Sequence, residues 1–330
     1  MGIENDAILS YLENNGRFAD LFNQCFFGGK QWVKPQELKE GSEVYTPSPK
    51  SNRRPRIRDI KRRLESGACL KVLAVEAQSD VSYIMPWRIM EYDCREYEKQ
   101  IRKIQSANQS AEESGRKGIY ASTGERLWRY RREDRIAPIY TICLYHGQEK
   151  WDGPKGLKDM VDFAAGCSEA EKRDWESRFI DYPMRLICAN EPMDGSGFRT
   201  SLGAVFALLP FRSDRAGLKQ MLDKNPSYGR LDEETAETIG ILMGVEGFME
   251  HKEEYKKGET YNLCQAIREM IEDGRMEGLK EGMKEEKTNG LRIFIRSNRD
   301  DGVADETIAE KLQKYYSLNK EEAWEALSHN

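Results

Sequence analysis

The apolar run CLKVLAVEAQ at residues 69–78 is the feature that most constrains the fold of this chain. Its Leu, Val and Ala residues are dense enough to predict a buried strand, yet Glu76 and Gln78 stand near its end. Side chains alternate faces along a strand, so positions two apart point the same way. The run therefore predicts a strand that carries a carboxylate and an amide side by side on one face.

The residues on either side of this run predict a β-hairpin and a long helix. RIRDIKRRL (56–64) is expected to form the first strand of the hairpin and ESGA (65–68) its turn, although DIKRRLE could instead form a helical turn. Downstream, residues 85–105 begin with Pro86, which is tolerated at the start of a helix. An amphipathic helix follows from apolar residues at heptad-like spacing, namely Met90, Cys94, Tyr97, Ile101 and Ile104.

The remaining patterns predict the fold class. Residues 4–28 are typical of a helix that ends at two glycines, and residues 106–125 are expected to be an exposed excursion. The segments APIYTICLYHG (137–147) and FIDYPMRLICANE (179–191) predict further strands. The order helix, strands, helix, strand predicts an α/β or α+β core.

Three segments are expected along the chain. The α/β core is predicted over residues 1–195, a helical region over 196–288 and a small C-terminal helical hairpin over 289–330. The helical region contains an acidic helix with glycines at four-residue steps, at Gly274, Gly278 and Gly282. Each glycine costs a helix up to about 1 kcal/mol relative to alanine, so the helix either frays there or is approached closely by a partner.

Composition excludes several classes of protein. The 38% hydrophobic and 33% charged residues are typical of a globular chain. No stretch approaches the roughly 20 apolar residues of a membrane helix, and the acidic N-terminus lacks the pattern of a secretory signal; we expect a cytoplasmic protein with no membrane partner. The seven scattered cysteines predict reduced thiols in the core rather than disulfides or a zinc site. Motifs of phosphate-loop ATPases, serine hydrolases and zincins are absent from the sequence, and no nucleotide cofactor is expected.

Positive charge is concentrated in one short segment, although the net charge of the chain is −5. Residues 50–63, KSNRRPRIRDIKRR, hold eight Lys or Arg residues and a single acid, Asp59. A basic cluster of this kind is typical of a segment that binds a polyanion such as DNA, even in an acidic protein. The alternative is a loop whose charges are simply solvated.

Asp59 and Glu76 fall on the two strands of the predicted hairpin. Two carboxylates held close together resist joint ionisation unless they share a cation. Mg²⁺ (or Mn²⁺) suits this position, because Mg²⁺ is commonly held by one or two carboxylates, waters and substrate phosphate oxygens. Such an ion can lower the pKa of its water and stabilise charge on a phosphate. With the basic cluster, the pattern indicates a phosphodiesterase site; the alternative is a strand whose polar end faces solvent.

The sequence also resembles the recombination-promoting nuclease and transposase-like family of the PD-(D/E)xK nuclease superfamily. The resemblance covers most of the chain, and its most specific part is residues 75–100. The matching stretches are RFADLFN (17–23), RIRDI (56–60), VEAQSDVSYIMPWRIMEYDCREYEKQ (75–100), APIYTICLYHGQEKWDGPKGLKDM (137–160) and DYPMRLI (181–187), together with the Glu- and Gly-rich helix near 274–282.

This resemblance implies a restriction-endonuclease-like α-β-β-β-α-β core with an all-helical C-terminal extension, and Mg²⁺-dependent cleavage of DNA in recombination or transposition. Asp59 would be the first metal-binding acid and Glu76 the second. Gln78 would stand where many nucleases of the superfamily have lysine. A glutamine can orient the attacking water by a hydrogen bond, but it brings no charge.

Further residues are assigned roles by the same resemblance. Tyr97 and Gln100, three apart on the following helix, would support the catalytic residues, although Tyr97 also completes the apolar stripe of that helix. Asp20 would be an additional metal ligand, with a solvated side chain or a local cap as the alternatives.

The DNA-binding set predicted from the basic cluster is Arg54, Arg56, Arg58, Lys61 and Arg62. Two other functions remain open from the sequence. One is a nuclease fold that binds DNA or a protein with little or no turnover. The other makes the C-terminal helices the functional part, forming a homo-oligomer with the core as scaffold.

Overall fold

A computed structural model describes residues 2–41, 59–66, 69–193, 195–245 and 248–328 of the chain. Arg54, Arg56 and Arg58, three of the predicted DNA-binding residues, lie outside these ranges. The chain divides into two compact units, Met1–Cys264 and Gln265–Asn330.

A five-stranded mixed sheet forms the centre of the first unit, in the order β1-β2-β3-β4-β5. Its strands are β1 (Leu38–Glu40), β2 (Ile60–Ser66), β3 (Cys69–Gln78), β4 (Ile139–Tyr145) and β5 (Arg185–Cys188). The first three strands pair antiparallel, whereas β4 and β5 run parallel to β3. The predicted hairpin and the mixed α/β class are confirmed.

Helices account for most of the rest of this unit. They are α1 (Ile3–Leu12), α2 (Asn15–Leu21), α3 (Met85–Glu113), α4 (Thr123–Trp128), α5 (Glu169–Arg178), α6 (Leu202–Leu208), α7 (Arg215–Lys224), α8 (Glu233–Leu242) and α9 (Phe248–His251). A two-stranded ribbon of β6 (Lys256–Lys257) and β7 (Thr260–Tyr261) follows α9.

Helix α3 provides the long crossover that the parallel strands β3 and β4 require. Met85 and Ile89 of its first turns pack on Cys143 and Tyr145 of β4, together with Trp151. The helix thereby covers the face of the sheet to which Cys143 and Tyr145 point. In the parallel register Glu76 of β3 is paired with Cys143, so the first turns of α3 lie beside Glu76.

Helices α1 and α2 join the residues beyond 195 to the sheet. The hydroxyl of Tyr11 lies 2.9 Å from that of Thr235 on α8, and Arg17 forms a 2.7 Å ion pair with Glu234. Arg17 is also stacked on the Tyr11 ring. These contacts explain why residues 196–264 belong to the same compact unit as the sheet, rather than to the separate helical region predicted to begin at residue 196.

The first helical segment and the long helix both depart from their predicted bounds. The segment predicted over 4–28 is divided between α1 and α2, because the Asn14 side chain caps α2 by accepting from the backbone N–H groups of Gly16 and Arg17. Helix α3 continues into the predicted excursion. Its buried Asn108 donates a 2.7 Å hydrogen bond to Asp134, which fixes the extra turns.

The second unit contains most of α10 (Leu263–Asp300), with α11 (Asp305–Tyr316) and α12 (Lys320–Ser328). The last turns of α10 pack with α11 and α12 around Ile295, Ile308, Leu312 and Leu327, so the two predicted tail helices are confirmed. The predicted boundary at residue 288 falls inside α10. That helix does not break at its glycines, and nothing lies within 4 Å of the position a side chain would take at Gly278 or Gly282.

Two expectations about the class of protein can be compared with the described part of the chain. There, no helix combines the length and the apolar character needed to cross a membrane. The six described cysteines are all free thiols, but the predicted core position holds only in part: Cys143 and Cys264 are buried, whereas Cys94 and Cys167 are exposed.

Candidate functional site

The register of the β2–β3 hairpin brings Asp59 and Glu76 together. Ile60 is paired with Val75, and one further step of the same register sets Asp59, just before β2, opposite Glu76. Residues directly opposite in an antiparallel pair lie on the same face of the sheet. The backbone N–H of Ala77 donates a 2.8 Å hydrogen bond to Oδ2 of Asp59, which fixes this carboxylate at the end of β3.

Glu76 and Gln78 occupy this face at different depths. Glu76 is 0% exposed, whereas Gln78 ends the strand and is partly exposed. The amide nitrogen of Gln78 donates to the Ala77 carbonyl at 2.6 Å, which leaves its Oε1 as an acceptor. The prediction that the two side chains share a face agrees with the strand geometry of β3.

Arg88 of α3 joins the three predicted catalytic residues. Its Nη1 donates to Oε1 of Gln78 at 3.3 Å, and its Nη2 lies 3.9 Å from Oε2 of Glu76. Arg88 also interacts electrostatically with Asp59. Arg88 was not among the site residues predicted from the sequence. A signal in the sequence was available: Arg88 lies in the first turn of α3, which follows the end of β3 and packs beside it.

Burial and charge act in opposite directions on this group of side chains. Burial raises the pKa of Asp59, and the Ala77 N–H and Arg88 offset part of the rise. Burial alone would lower the pKa of Arg88, but its hydrogen bond to Tyr92 and the carboxylates of Glu76 and Asp59 raise it overall. Arg88 therefore stays charged and supplies positive charge beside the two carboxylates.

The donor atoms fit a hard divalent cation. Among the residues that the structure describes, no group of three or more His, Cys, Asp or Glu side chains could hold a metal. A pair of carboxylates is sufficient for Mg²⁺, because that ion retains several waters and takes further oxygens from a phosphate. Asp59 and Glu76 are the residues that would hold it.

Asp20 is engaged elsewhere. Its Oδ2 accepts hydrogen bonds from the backbone N–H groups of Arg199 and Thr200, at 2.9 and 2.8 Å, and from the Thr200 hydroxyl at 2.7 Å. The side chain is 3% exposed. It caps the turn before α6, which favours the cap alternative over the metal-ligand prediction, and we leave Asp20 out of the proposed ligand set.

Tyr97 and Gln100 hold the chain at the entrance to β4. The side-chain amide of Gln100 donates to the Ala137 carbonyl at 3.3 Å and accepts from the Ala137 N–H at 2.6 Å. The Tyr97 hydroxyl accepts a hydrogen bond from the Ile139 N–H at 3.3 Å. Both residues therefore position β4 at its start, whereas Glu76 and Gln78 lie towards the end of the neighbouring β3.

Lys61 and Arg62 do not have the exposed side chains expected of phosphate-binding residues. Lys61 is buried and forms a 2.9 Å ion pair with Glu96 of α3. Arg62 is also buried, and it donates to the side chain of Asn15 and to the backbone carbonyl of Glu13. The sequence could not show this, because a run of basic residues does not reveal which of them meet internal acceptors.

A cleft of about 670 Å³ lies between α3 and the start of β3, and it adjoins Lys61. Exposed cations that the sequence analysis did not single out line this cleft. They are Arg63, Lys99, Lys103 and Arg135. Arg63 is two positions beyond Lys61, which is itself two beyond Asp59, so these three side chains belong to one face of the β2–β3 hairpin. Lys99 and Lys103 reach the cleft from α3, and Arg135 reaches it from the segment before β4.

A buried polar chain lies behind the site. The side-chain amide of Asn5 donates to the Ala77 carbonyl at 3.3 Å, and its Oδ1 accepts from Nε2 of His146 at 2.6 Å. The His146 carbonyl in turn accepts from Arg212 at 2.8 Å. Neither Asn5 nor His146 was predicted as part of the site. Their link fixes the backbone between Glu76 and Gln78.

Comparisons of this chain with protein-family models, with curated proteins and with solved structures found no match. Its function is therefore argued from the geometry of the residues described above.

Proposed function

We propose that this chain is a metal-dependent DNA endonuclease with a PD-(D/E)xK type core. The observation that carries the proposal is the pairing of Asp59 with Glu76 across the hairpin, with Gln78 on the same face. The order of elements supports it, because two helices precede three consecutive strands, the long α3 and, after the short α4, a further strand. This is the α-β-β-β-α-β order expected from the resemblance.

Each residue has a distinct task in this proposal. Asp59 and Glu76 hold the divalent cation, and the Ala77 N–H keeps Asp59 in place. When bound, the cation lowers the pKa of a water and offsets the charge of the phosphate. Gln78 orients the attacking water, and its side chain is already held by the Ala77 carbonyl and Arg88.

The DNA backbone would follow the basic side of the hairpin. Arg63, Lys99 and Lys103 line the cleft at the start of β3, on the same face of the hairpin as Asp59, and replace the buried Lys61 and Arg62 in the proposed contact set. Arg54, Arg56 and Arg58 remain predicted contacts. A protein that neutralises phosphates releases counterions, so its affinity for DNA falls steeply with salt. For about 6–10 phosphate contacts, affinity should fall by about 10³–10⁵ between about 50 and 200 mM salt.

A binding protein with little turnover is the second candidate. The specific observation in its favour is that Glu76 is 0% exposed and lies beneath Arg88, while Gln78 is neutral. A role in recombination or transposition is compatible with either function.

Incubation of the purified protein with supercoiled plasmid and Mg²⁺ tests the proposal. We expect nicked circles with Mg²⁺ or Mn²⁺ and none with EDTA. Glu76→Gln should abolish nicking, whereas Glu65→Gln, an exposed glutamate on the same strand pair, should nick as wild type does. If wild type leaves the plasmid supercoiled but still binds it, the binding function is the correct one.

A further inference from the structure

Arg88 is set apart from the other arginines of α3 by its surroundings. Arg95 and Arg102 form ion pairs with glutamates four residues earlier on the same helix, Glu91 and Glu98. The corresponding position for Arg88 is Ile84. Arg88 therefore has no glutamate four residues earlier with which to form an ion pair. Its guanidinium instead contacts Gln78 and Glu76 of β3.

We propose that Arg88 supplies the positive charge that lysine provides in other nucleases of this type and that Gln78 does not. The inference rests on the proposed function. Arg88 donates to Gln78 at 3.3 Å and approaches Glu76 to 3.9 Å, so its charge lies within one side-chain contact of the position where the lysine would stand. Its side chain is 26% exposed, which leaves a route towards a substrate.

The same contacts make Arg88 a counter-ion of the two carboxylates. Before a metal binds, the guanidinium is the cation that balances Glu76 and Asp59. A divalent ion must compete with it for these carboxylates, because both are attracted by the same negative charge. A displaced guanidinium suits a phosphate, whose oxygens it can engage through two parallel N–H donors. A metal held by Glu76 and Asp59 would thus free Arg88 to bind the phosphate.

Removing the positive charge at Arg88, and then placing one at Gln78, tests whether Arg88 supplies the charge that Gln78 lacks. Arg88→Gln should lower the nicking rate about 100-fold, in line with the loss of one preorganised charge at a reacting group. Arg88→Lys should keep most of the rate. Adding Gln78→Lys to Arg88→Gln should recover at least about tenfold, because the charge returns to the neighbouring position. Arg95→Gln is the matched control and should nick as wild type does.

Titration with Mn²⁺ in the absence of DNA gives a readout that does not depend on activity. Arg88→Gln should bind Mn²⁺ about fivefold more tightly than wild type, since the competing cation has been removed. Arg95→Gln should leave the affinity unchanged, and thermal melting checks that each variant is folded.

The outcomes separate the two proposals. If wild type does not nick DNA, the nuclease function fails, and the Mn²⁺ titration still decides whether Arg88 is the counter-ion of the carboxylates. If wild type nicks and Arg88→Gln matches it in both rate and Mn²⁺ affinity, the role of Arg88 is overturned while the nuclease function stands. Failure of Gln78→Lys to rescue a folded Arg88→Gln would also overturn it.

Discussion

At the scale of single residues, His146 shows how the site is tied to the stability of the fold. Its side chain is 0% exposed, and burial, together with the nearby Arg212, lowers its pKa from 6.5 to about 4. Because its Nε2 donates to Asn5, which donates to the Ala77 carbonyl, a neutral ring holds the backbone of β3.

The lowered pKa of His146 predicts a dependence of stability on pH. The unfolded chain takes up a proton near pH 6.5 and the folded chain near pH 4, so the contribution is complete above 6.5 and is lost as the pH falls towards 4. The free energy of unfolding should fall by up to about 1.4 kcal/mol per pH unit in this window. Urea unfolding at several pH values measures it.

His146→Gln should remove this part of the pH dependence, because glutamine does not titrate. His251→Gln is the control, since His251 is exposed on α9, and it should keep the wild-type slope. Equal slopes for wild type and His146→Gln between pH 6.5 and 4 would contradict the assignment.

At the scale of elements, side chains of α3 form hydrogen bonds to the sheet region at two places. Arg88 in its first turn reaches the site, and Gln100 three turns later clamps the backbone of Ala137. The clamp sets the start of β4, which in turn sets the register against β3.

Gln100→Ala should lower the free energy of unfolding by about 1–3 kcal/mol, because it leaves buried backbone groups of Ala137 without their partner. Nicking by the folded protein should stay at the wild-type rate if Gln100 only positions the strand. Ser106→Ala, on the exposed side of the same helix, should change stability by less than about 0.5 kcal/mol. A loss of nicking in a fully folded Gln100→Ala protein would instead restore the supporting role in catalysis that the resemblance implied.

The pattern of apolar residues predicted β3 and α3 as elements. The run of charges did not predict which basic side chains are exposed. The apolar run of β3 predicted a strand that is buried on both faces, as residues 72–77 are. The apolar spacing in α3 predicted the helix but not its buried face, which includes Met85, Ile89 and Tyr92, whereas Cys94 of the predicted stripe is exposed. The final turns of α3 could not be predicted, since the bond of Asn108 to Asp134 joins residues far apart in sequence. Lys61 was predicted to contact DNA, because the sequence does not show that folding brings Glu96 to it. The predicted hairpin set Asp59 and Glu76 on neighbouring strands and the resemblance assigned them as metal ligands, whereas Arg88 needed the path of the chain between β3 and α3.

At the scale of the whole molecule, the middle of α10 is a long exposed stretch of the described chain. Residues 275–289 are all exposed, including the apolar side chains of Met276, Leu279 and Met283. A long helix that is solvated on every side buries no apolar face, so its stability must come from ion pairs along its own surface or from a partner; the exposed apolar side chains favour a partner here. Open space at Gly278 and Gly282 would allow another helix to approach closely.

We therefore predict that the chain self-associates through this part of α10. Changing both Leu279 and Met283 to lysine should lower the sedimentation coefficient of the full-length protein, because two charges would be placed in the contact. Thr288→Lys adds charge on the same exposed stretch and should have a smaller effect. Sedimentation of wild type as a monomer at micromolar concentration would show this prediction to be wrong.

The central claim is that Asp59 and Glu76 form one catalytic site, and it is tested most directly by nicking rates for Asp59→Asn, Glu76→Gln and the double variant in Mg²⁺. Residues that act as a unit lose activity together, so each single change should cost at least about 100-fold and the double variant should be little worse than either. Wild-type nicking by a folded Asp59→Asn or Glu76→Gln protein would contradict the account.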